Sequence, residues 1–370
     1  MTTLFFILPI SLALLFVYLI LRFERWHARF TFDHDTTGVQ KYHARAVPRV
    51  GGVAILLAIV ASLPILARIE PSVAERLGIM LLCGSPAVLS GVIEDLTKRV
   101  SPRARLLCAI FSGLLASYFL RAVISSRGLP FLEFMWLIPA VAIVFSSVAI
   151  AGVANAMNII DGFNGLSSGV GVLVLASQAW VAYMVGDQFV FVSATMFAAA
   201  TLGFFVWNFP RGKIFLGDGG AYLIGFCVSV LAIVLISENT SVSPWYGAVV
   251  LIYPVFETLF SVFRRKVIQR RPAGQPDSLH LHTLVHRRVA RFAMKQARSH
   301  AIFTSNSMTS PYLWAISALS IVPATLFWYS DICLIVTICV FALVYVYYYS
   351  ALVNFRRPIF MRAWRQEKFE

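Results

Sequence analysis

Long apolar runs broken by short polar stretches dominate the chain. They recur at roughly 4–21, 50–67, 77–93, 104–120, 134–154, 165–185, 188–207, 221–237, 244–263, 310–329 and 332–350. Runs of about 17–25 residues suffice for a helix to cross a hydrocarbon core of about 30 Å. In lipid every backbone N–H and C=O must be paired within the segment, so helices are expected. The weak ten-residue alternation of an outer-membrane barrel is absent. The pattern predicts an all-α integral membrane protein with about 11 transmembrane helices. No repeat of fixed period appears, and a single domain over 1–370 is expected. The first run has no basic residue before it and no small-residue cleavage site after it, so it reads as an uncleaved first span.

Charge then sets the orientation. Of the 31 Lys and Arg residues, all but Arg68, Arg76, Arg121 and Arg127 fall on one predicted side, in 22–50, 94–105, 208–220, 264–308 and 351–370. Such a bias marks the cytoplasmic side. It places the N-terminus in the periplasm and the C-terminus in the cytoplasm. The cytoplasmic loops are expected at about 22–49, 94–103, 155–164, 208–220 and 264–309. The formal charge of +14 is then mostly a matter of topology. Without a recognisable nucleic-acid module it does not call for a nucleic-acid partner. The five cysteines all sit in apolar runs and none forms a CxxC pair, so packing is the expected role.

Polar residues that interrupt apolar runs are costly in a membrane and point to function. GVIEDLTKRV places Glu94 and Asp95 at the end of the third run. Such a pair suits a divalent cation or a general base, or a solvated loop matched to Lys98 and Arg99. NAMNIIDGFNG sets Asn155, Asn158 and Asp161 three apart, on one helix face. Gly162 and Gly165 allow a turn there. FLGDGG surrounds Asp218 with Gly217, Gly219 and Gly220 just before the eighth run. Glycines there expose N–H groups to phosphate at a helix start, and the carboxylate suits Mg²⁺. PDSLHLHTLVHRR brings His280 and His282 close to Arg287 and Arg288, as phosphate binding would. A zinc site prefers different spacing and more ligands. Lys41, His43, Arg45 and Arg49 follow the first run and suit an anionic ligand or lipid headgroups. Glu257 lies within the ninth run, about two turns before Arg264. All these junctions fall on the same predicted side, which fits metal-assisted chemistry on phosphates.

At these residues the sequence resembles the polyprenyl-phosphate N-acetylhexosamine-1-phosphate transferase family, from about Lys41 to His286. The family's acidic pair matches Glu94-Asp95, with Glu where Asp-Asp is usual. Its Asn-x-x-Asn-x-x-Asp-Gly motif matches Asn155, Asn158, Asp161 and Gly162, and Asn164 stands where many members carry a further acid. Its Gly-Asp-x-Gly motif matches Gly217, Asp218 and Gly220, and its His-x-His motif matches His280 and His282.

The resemblance implies transfer of a sugar-1-phosphate from a UDP-N-acetylhexosamine to undecaprenyl phosphate at a bacterial inner membrane, with UMP released. Initiation of a lipid-linked polysaccharide such as O-antigen would follow. Mg²⁺, or Mn²⁺ in its place, would sit on Asp218 with Asp161. Glu94, Asp95, Asp161 and Asp218 would be catalytic. Asn155, Asn158, Gly217, Gly220, His280, His282, Lys41, His43, Arg49 and Glu257 would bind substrate. Members of the family can dimerise, which adds a second copy to the expected partners. Two other classes remain open. A carrier of anionic solutes would show paired repeats and a site at mid-membrane. A non-catalytic scaffold would bind other glycan-assembly proteins.

Overall fold

The structure is a computed structural model and describes residues 2–32, 47–124, 138–270, 277, 279–290 and 306–354. The described residues form helices and no strands. In chain order these are α1 (Thr2–Arg22), α2 (Glu24–Thr31), α3 (Gly51–Ile69), α4 (Pro71–Thr97), α5 (Pro102–Phe119), α6 (Pro139–Ile159) and α7 (Leu166–Val185). There follow α8 (Gln188–Asn208), α9 (Gly217–Glu238), α10 (Tyr246–Val250), α11 (Ile252–Phe263), α12 (Leu281–Val285), α13 (Thr309–Leu326) and α14 (Asp331–Val353).

Eight of the described helices are long and apolar enough to cross a membrane: α1, α3, α4, α6, α7, α8, α9 and α14. With this content the chain is a multi-pass integral membrane protein. The other three expected spans coincide with α5, with α13 and with the broken pair α10 and α11. The break falls at Leu251, and Pro254 follows within the first turn of α11. Proline lacks the N–H that would continue a ladder, so it is tolerated at a helix start.

Helix α9 is the axis of the bundle. Its membrane window is 100% buried, against 22% for α1 and 28% for α14. A helix apolar on every side belongs in the interior of a bundle. It packs on α3, α4, α6 and α7. Small residues let the backbones approach: a Cβ on Gly225 would fall 2.5 Å from Ala154 Cα. The outer helices instead show large apolar side chains, such as Leu15 and Leu343, to their surroundings. Cys83 and Cys227 pack in the interior as expected, but Cys339 is exposed on the outward face of α14.

The two ends of the bundle are separate in character. At one end Arg76 pairs with Glu238, and Asn239 donates to Asp187 at 2.8 Å. At the other end the last residue of α2 and the two segments that lead into α3 and α9 are laced together. Arg49 N–H donates to Thr31 at 2.9 Å, Phe215 N–H to Pro48 at 2.8 Å, and the Gly51 and Gly52 N–H groups to Phe215 and Leu216, both at 2.9 Å. This lacing brings Arg49 to the start of α9.

Candidate active site

The start of α9 is fixed by Asp95. Helix N-termini leave their first N–H groups without intrahelical partners, and a carboxylate there is favoured by both hydrogen bonding and the helix dipole. Asp95, 4% exposed at the end of α4, accepts from Asp218 N–H through Oδ1 and from Gly219 N–H through Oδ2, both at 3.0 Å. The approach requires glycine on both helices. A Cβ on Gly91 would fall 2.6 Å from Gly219 N, and one on Gly217 (φ +77°) 2.6 Å from Asp95 Oδ2. Two of the N–H groups expected to face phosphate are therefore taken by a carboxylate. Gly220 packs against Gly52 instead of facing a ligand. Glu94 points elsewhere: its Oε2 accepts from Val100 N–H at 2.8 Å and closes the turn into α5.

Beside this junction lies a cavity of about 400 Å³. Its walls include Arg49, Arg105, Asn158, Asp161, Asp218 and the two histidines His280 and His282. Glu94 and Asp95 are not among its lining residues. Asp218 meets Arg49 Nη2 at 3.2 Å and forms an ion pair with Arg105. Arg49 Nε also lies 3.6 Å from Asp95 Oδ1. Arg105, on the first turn of α5, is not among the residues that the sequence pattern singles out. The only signal for it is a basic pair, Arg103 and Arg105, beside a proline, which any cytoplasmic loop could carry. Asp161 occupies the turn after α6. Burial pushes its carboxyl well above the usual carboxylate range; Arg49 opposes this and Asp95 adds to it. Asn158 lines the cavity, whereas Asn155, one turn deeper, accepts from Tyr222 Oη at 3.3 Å. Asn164 braces the turn from below: its N–H donates to Asn306 at 2.8 Å, and its carbonyl accepts from Ser310 at 2.6 Å. Lys41, His43 and Arg45 lie outside the described residues.

The opposite wall is built from side chains. The His280 and His282 rings lie parallel, 5.0 Å apart with 8° between their planes. Behind them Glu257, fully buried, accepts from Leu281 N–H at 2.7 Å and from Tyr345 Oη at 2.8 Å. Glu257 is not a lining residue; it supports the histidines that are. Asp277 pairs with Arg264 and approaches His280 Nε2 at 3.7 Å. Burial opposes the Asp277 charge, but the Leu279 N–H, His280 and Arg264 together hold its carboxyl below the usual range. Burial pushes His282 down to about 4 against the opposing pull of Glu257, so the ring is neutral at pH 7.

A second cavity, of about 420 Å³, runs between α6, α9, α10 and α11. Ser229 is set there among apolar side chains such as Val153, Ile233, Phe256 and Leu259. Helices α6 and α9 each contribute to both cavities, Asn158 and Asp218 to the polar one, Val153 and Ser229 to the apolar one.

Residues 77–236 match the model of glycosyl transferase family 4. This stretch carries Asp95, Asp161 and Asp218 in the arrangement just described. Over this stretch the chain is similar to glycosyl transferase family 4. Among relatives, it is 28% identical over 299 residues to a probable undecaprenyl-phosphate N-acetylglucosaminyl 1-phosphate transferase of Bacillus subtilis, covering 79% of this chain and 78% of the relative. It is 29% identical over 258 residues to an undecaprenyl-phosphate alpha-N-acetylglucosaminyl 1-phosphate transferase of Thermotoga maritima, covering 70% and 74%. It is 30% identical over 274 residues to a decaprenyl-phosphate N-acetylglucosaminephosphotransferase of Mycolicibacterium smegmatis, covering 65% of each chain. The family 4 match holds the carboxylate wall of the cavity and ends before Glu257 and the histidines. The cavity combines carboxylates, guanidiniums and imidazoles. That set can bind phosphate oxygens and a divalent cation together.

Proposed function

We propose that this enzyme transfers N-acetylhexosamine-1-phosphate from a UDP-sugar to undecaprenyl phosphate and releases UMP. The observation that carries the reading is the convergence of Asp161, Asp218, Arg49, Arg105, His280 and His282 on one cavity. An oxygen of the lipid phosphate attacks the β-phosphorus of the UDP-sugar. The bond from that phosphorus to the UMP oxygen breaks, and UMP carries the electron pair away. The product is a lipid diphosphate sugar, the starting unit of a surface polysaccharide such as O-antigen. Transfers of this kind depend mainly on positioning and charge neutralisation.

The residues divide that work. Arg49 and Arg105 present planar forks that match phosphate oxygens, and both already hold Asp218 in place. His280 and His282 close the opposite wall over the phosphates. Asn158 offers a neutral donor and acceptor to the nucleotide-sugar. Asp95 acts by holding the first turn of α9, and hence Asp218, in register. Asp161, Asp218 and nearby Asp95 are three carboxylates facing two guanidiniums, and a pyrophosphate brings further negative charge. The oxygen donors of Asp218 and Asp161 suit Mg²⁺, which when bound would neutralise the pyrophosphate and the departing UMP. Proton removal has little to add, because a phosphate monoester is already largely ionised near pH 7.

The apolar cavity between α6, α9, α10 and α11 suits the prenyl chain, since two of its helices lead to the polar site. Eleven crossings, with the N-terminus outside and the polar cavity facing the cytoplasm, agree with the Lys and Arg bias and with Arg76 and Glu238 meeting at the far end. The test is UMP release by purified protein given undecaprenyl phosphate, Mg²⁺ and a panel of UDP-N-acetylhexosamines. Release that requires both lipid and metal supports the reading. Folded protein that neither releases UMP nor binds any UDP-sugar would overturn it.

A further inference from the structure

We propose that Glu257, His280 and His282 form a binding site for a divalent transition metal, with Zn²⁺ the ion their chemistry fits best. The two histidines alone are a poor zinc motif. The fold supplies the third ligand from α11, more than twenty positions earlier in the chain. Glu257 Oε1 lies 3.3 Å from His280 Nδ1 and 3.5 Å from His282 Nδ1. Donor atoms of the three residues all lie within 4.8 Å of one another. Around a tetrahedral ion with bonds of about 2.0–2.1 Å, neighbouring ligands stand roughly 3.3–3.5 Å apart. The two separations from Glu257 already match this spacing.

Three further observations point to a ligand. His282 is 5% exposed, and its Nδ1 is buried with no hydrogen-bond partner. Buried polar atoms are rarely left so, and each such case asks for an occupant. Both Nδ1 atoms lie within 3.5 Å of the same carboxylate oxygen, and a turn of one ring would bring both lone pairs onto one ion. The outer shell is also in place. Asp277 stands 3.7 Å from the far nitrogen of His280, Arg264 holds Asp277, and Tyr345 holds the second Glu257 oxygen. A carboxylate behind a ligating histidine is a common way to orient the ring. Ser261 Oγ, 2.9 Å from His280 Nδ1, is the group the ion would displace from that nitrogen. Both histidines line the polar cavity, which leaves the fourth position to water or a phosphate oxygen. Two imidazoles and one carboxylate favour Zn²⁺, Co²⁺ or Ni²⁺, whereas an all-oxygen set favours Mg²⁺. The two sites would therefore take different ions.

The test uses tag-free, full-length protein in detergent, stripped with a chelator and titrated with Co²⁺. One Co²⁺ per chain should bind, with the intense visible bands of a tetrahedral centre. An excess of Mg²⁺ should leave those bands unchanged, and Zn²⁺ should abolish them. His282→Ala and Glu257→Gln should each weaken binding by at least about 10-fold. His282→Phe retains a ring against Phe163 and should show the same loss with unchanged elution, which separates ligation from folding. His286→Gln, one turn on, should bind Co²⁺ normally. Absence of the bands in the wild type, or equal binding in folded His282→Phe, would overturn the proposal. UMP release is not the readout, so this site and the transferase reading stand or fall separately.

Discussion

At the start of α9 a carboxylate meets backbone N–H groups across a contact that only glycine permits, whereas midway along α11 a buried carboxylate meets two imidazoles and one of them keeps an unpartnered nitrogen. The two walls of one cavity are thus built by different means. On the carboxylate wall, Gly91 and Gly217 set helix spacing, and Asp95 spends both oxygens on the fold. On the histidine wall, Glu257 from α11, His280 just before α12 and His282 on α12 meet through their side chains, and packing leaves His282 Nδ1 without a hydrogen-bond partner. A substitution on the first wall therefore disturbs structure and chemistry together. One on the second wall reports on chemistry more directly.

Asp218→Ala removes the carboxylate that faces both guanidiniums and should lower turnover by about 10³-fold in correctly inserted protein, as measured by UMP release. Near-normal turnover would remove Asp218 from the chemistry. Gly91→Ala drives a methyl group into the backbone of Gly219 and should cost as much as about 3 kcal/mol, read as a lowered Tm in detergent. Gly78 on the same helix has nothing within 4 Å of its would-be Cβ. Gly78→Ala should therefore leave Tm unchanged or raise it, by up to about 1 kcal/mol. Asp95→Asn keeps one acceptor and loses the other, which should cost about 1–2 kcal/mol and lower turnover in step with Tm. Lost turnover with an unchanged Tm would make Asp95 a catalytic base instead of a positioning residue. Glu94→Gln retains the acceptor for Val100 N–H and should change turnover by less than about threefold.

Much of this was readable from residue order. Lipid forces backbone pairing into helices, so long apolar runs become spans, and the acids, histidines and Arg49 gather at one end because their loops share a side. The rest depends on three-dimensional detail that spacing does not carry. Glu94 and Asp95 are neighbours, yet about 100° around the helix separates them, so one enters the bundle and the other closes a turn. The glycines around Asp218 look like a phosphate cradle in sequence, but two of the N–H groups serve Asp95. Arg105 is one basic residue among many in cytoplasmic loops, and only the packing of α5 brings it to Asp218. Glu257 is far from the histidines in sequence, and the break at Leu251, which precedes α11, has no strong signal beyond Pro254.

In the proposed reaction the sugar moves together with its phosphate. Its most direct test is a reaction with UDP-N-acetylhexosamine labelled in the β-phosphate, undecaprenyl phosphate and Mg²⁺, followed by separation of lipid from water-soluble products. The label should enter the lipid fraction in step with UMP release, and Asp218→Ala should abolish both. Label retained in UDP while the sugar enters the lipid fraction would show transfer of the sugar alone and would contradict the account.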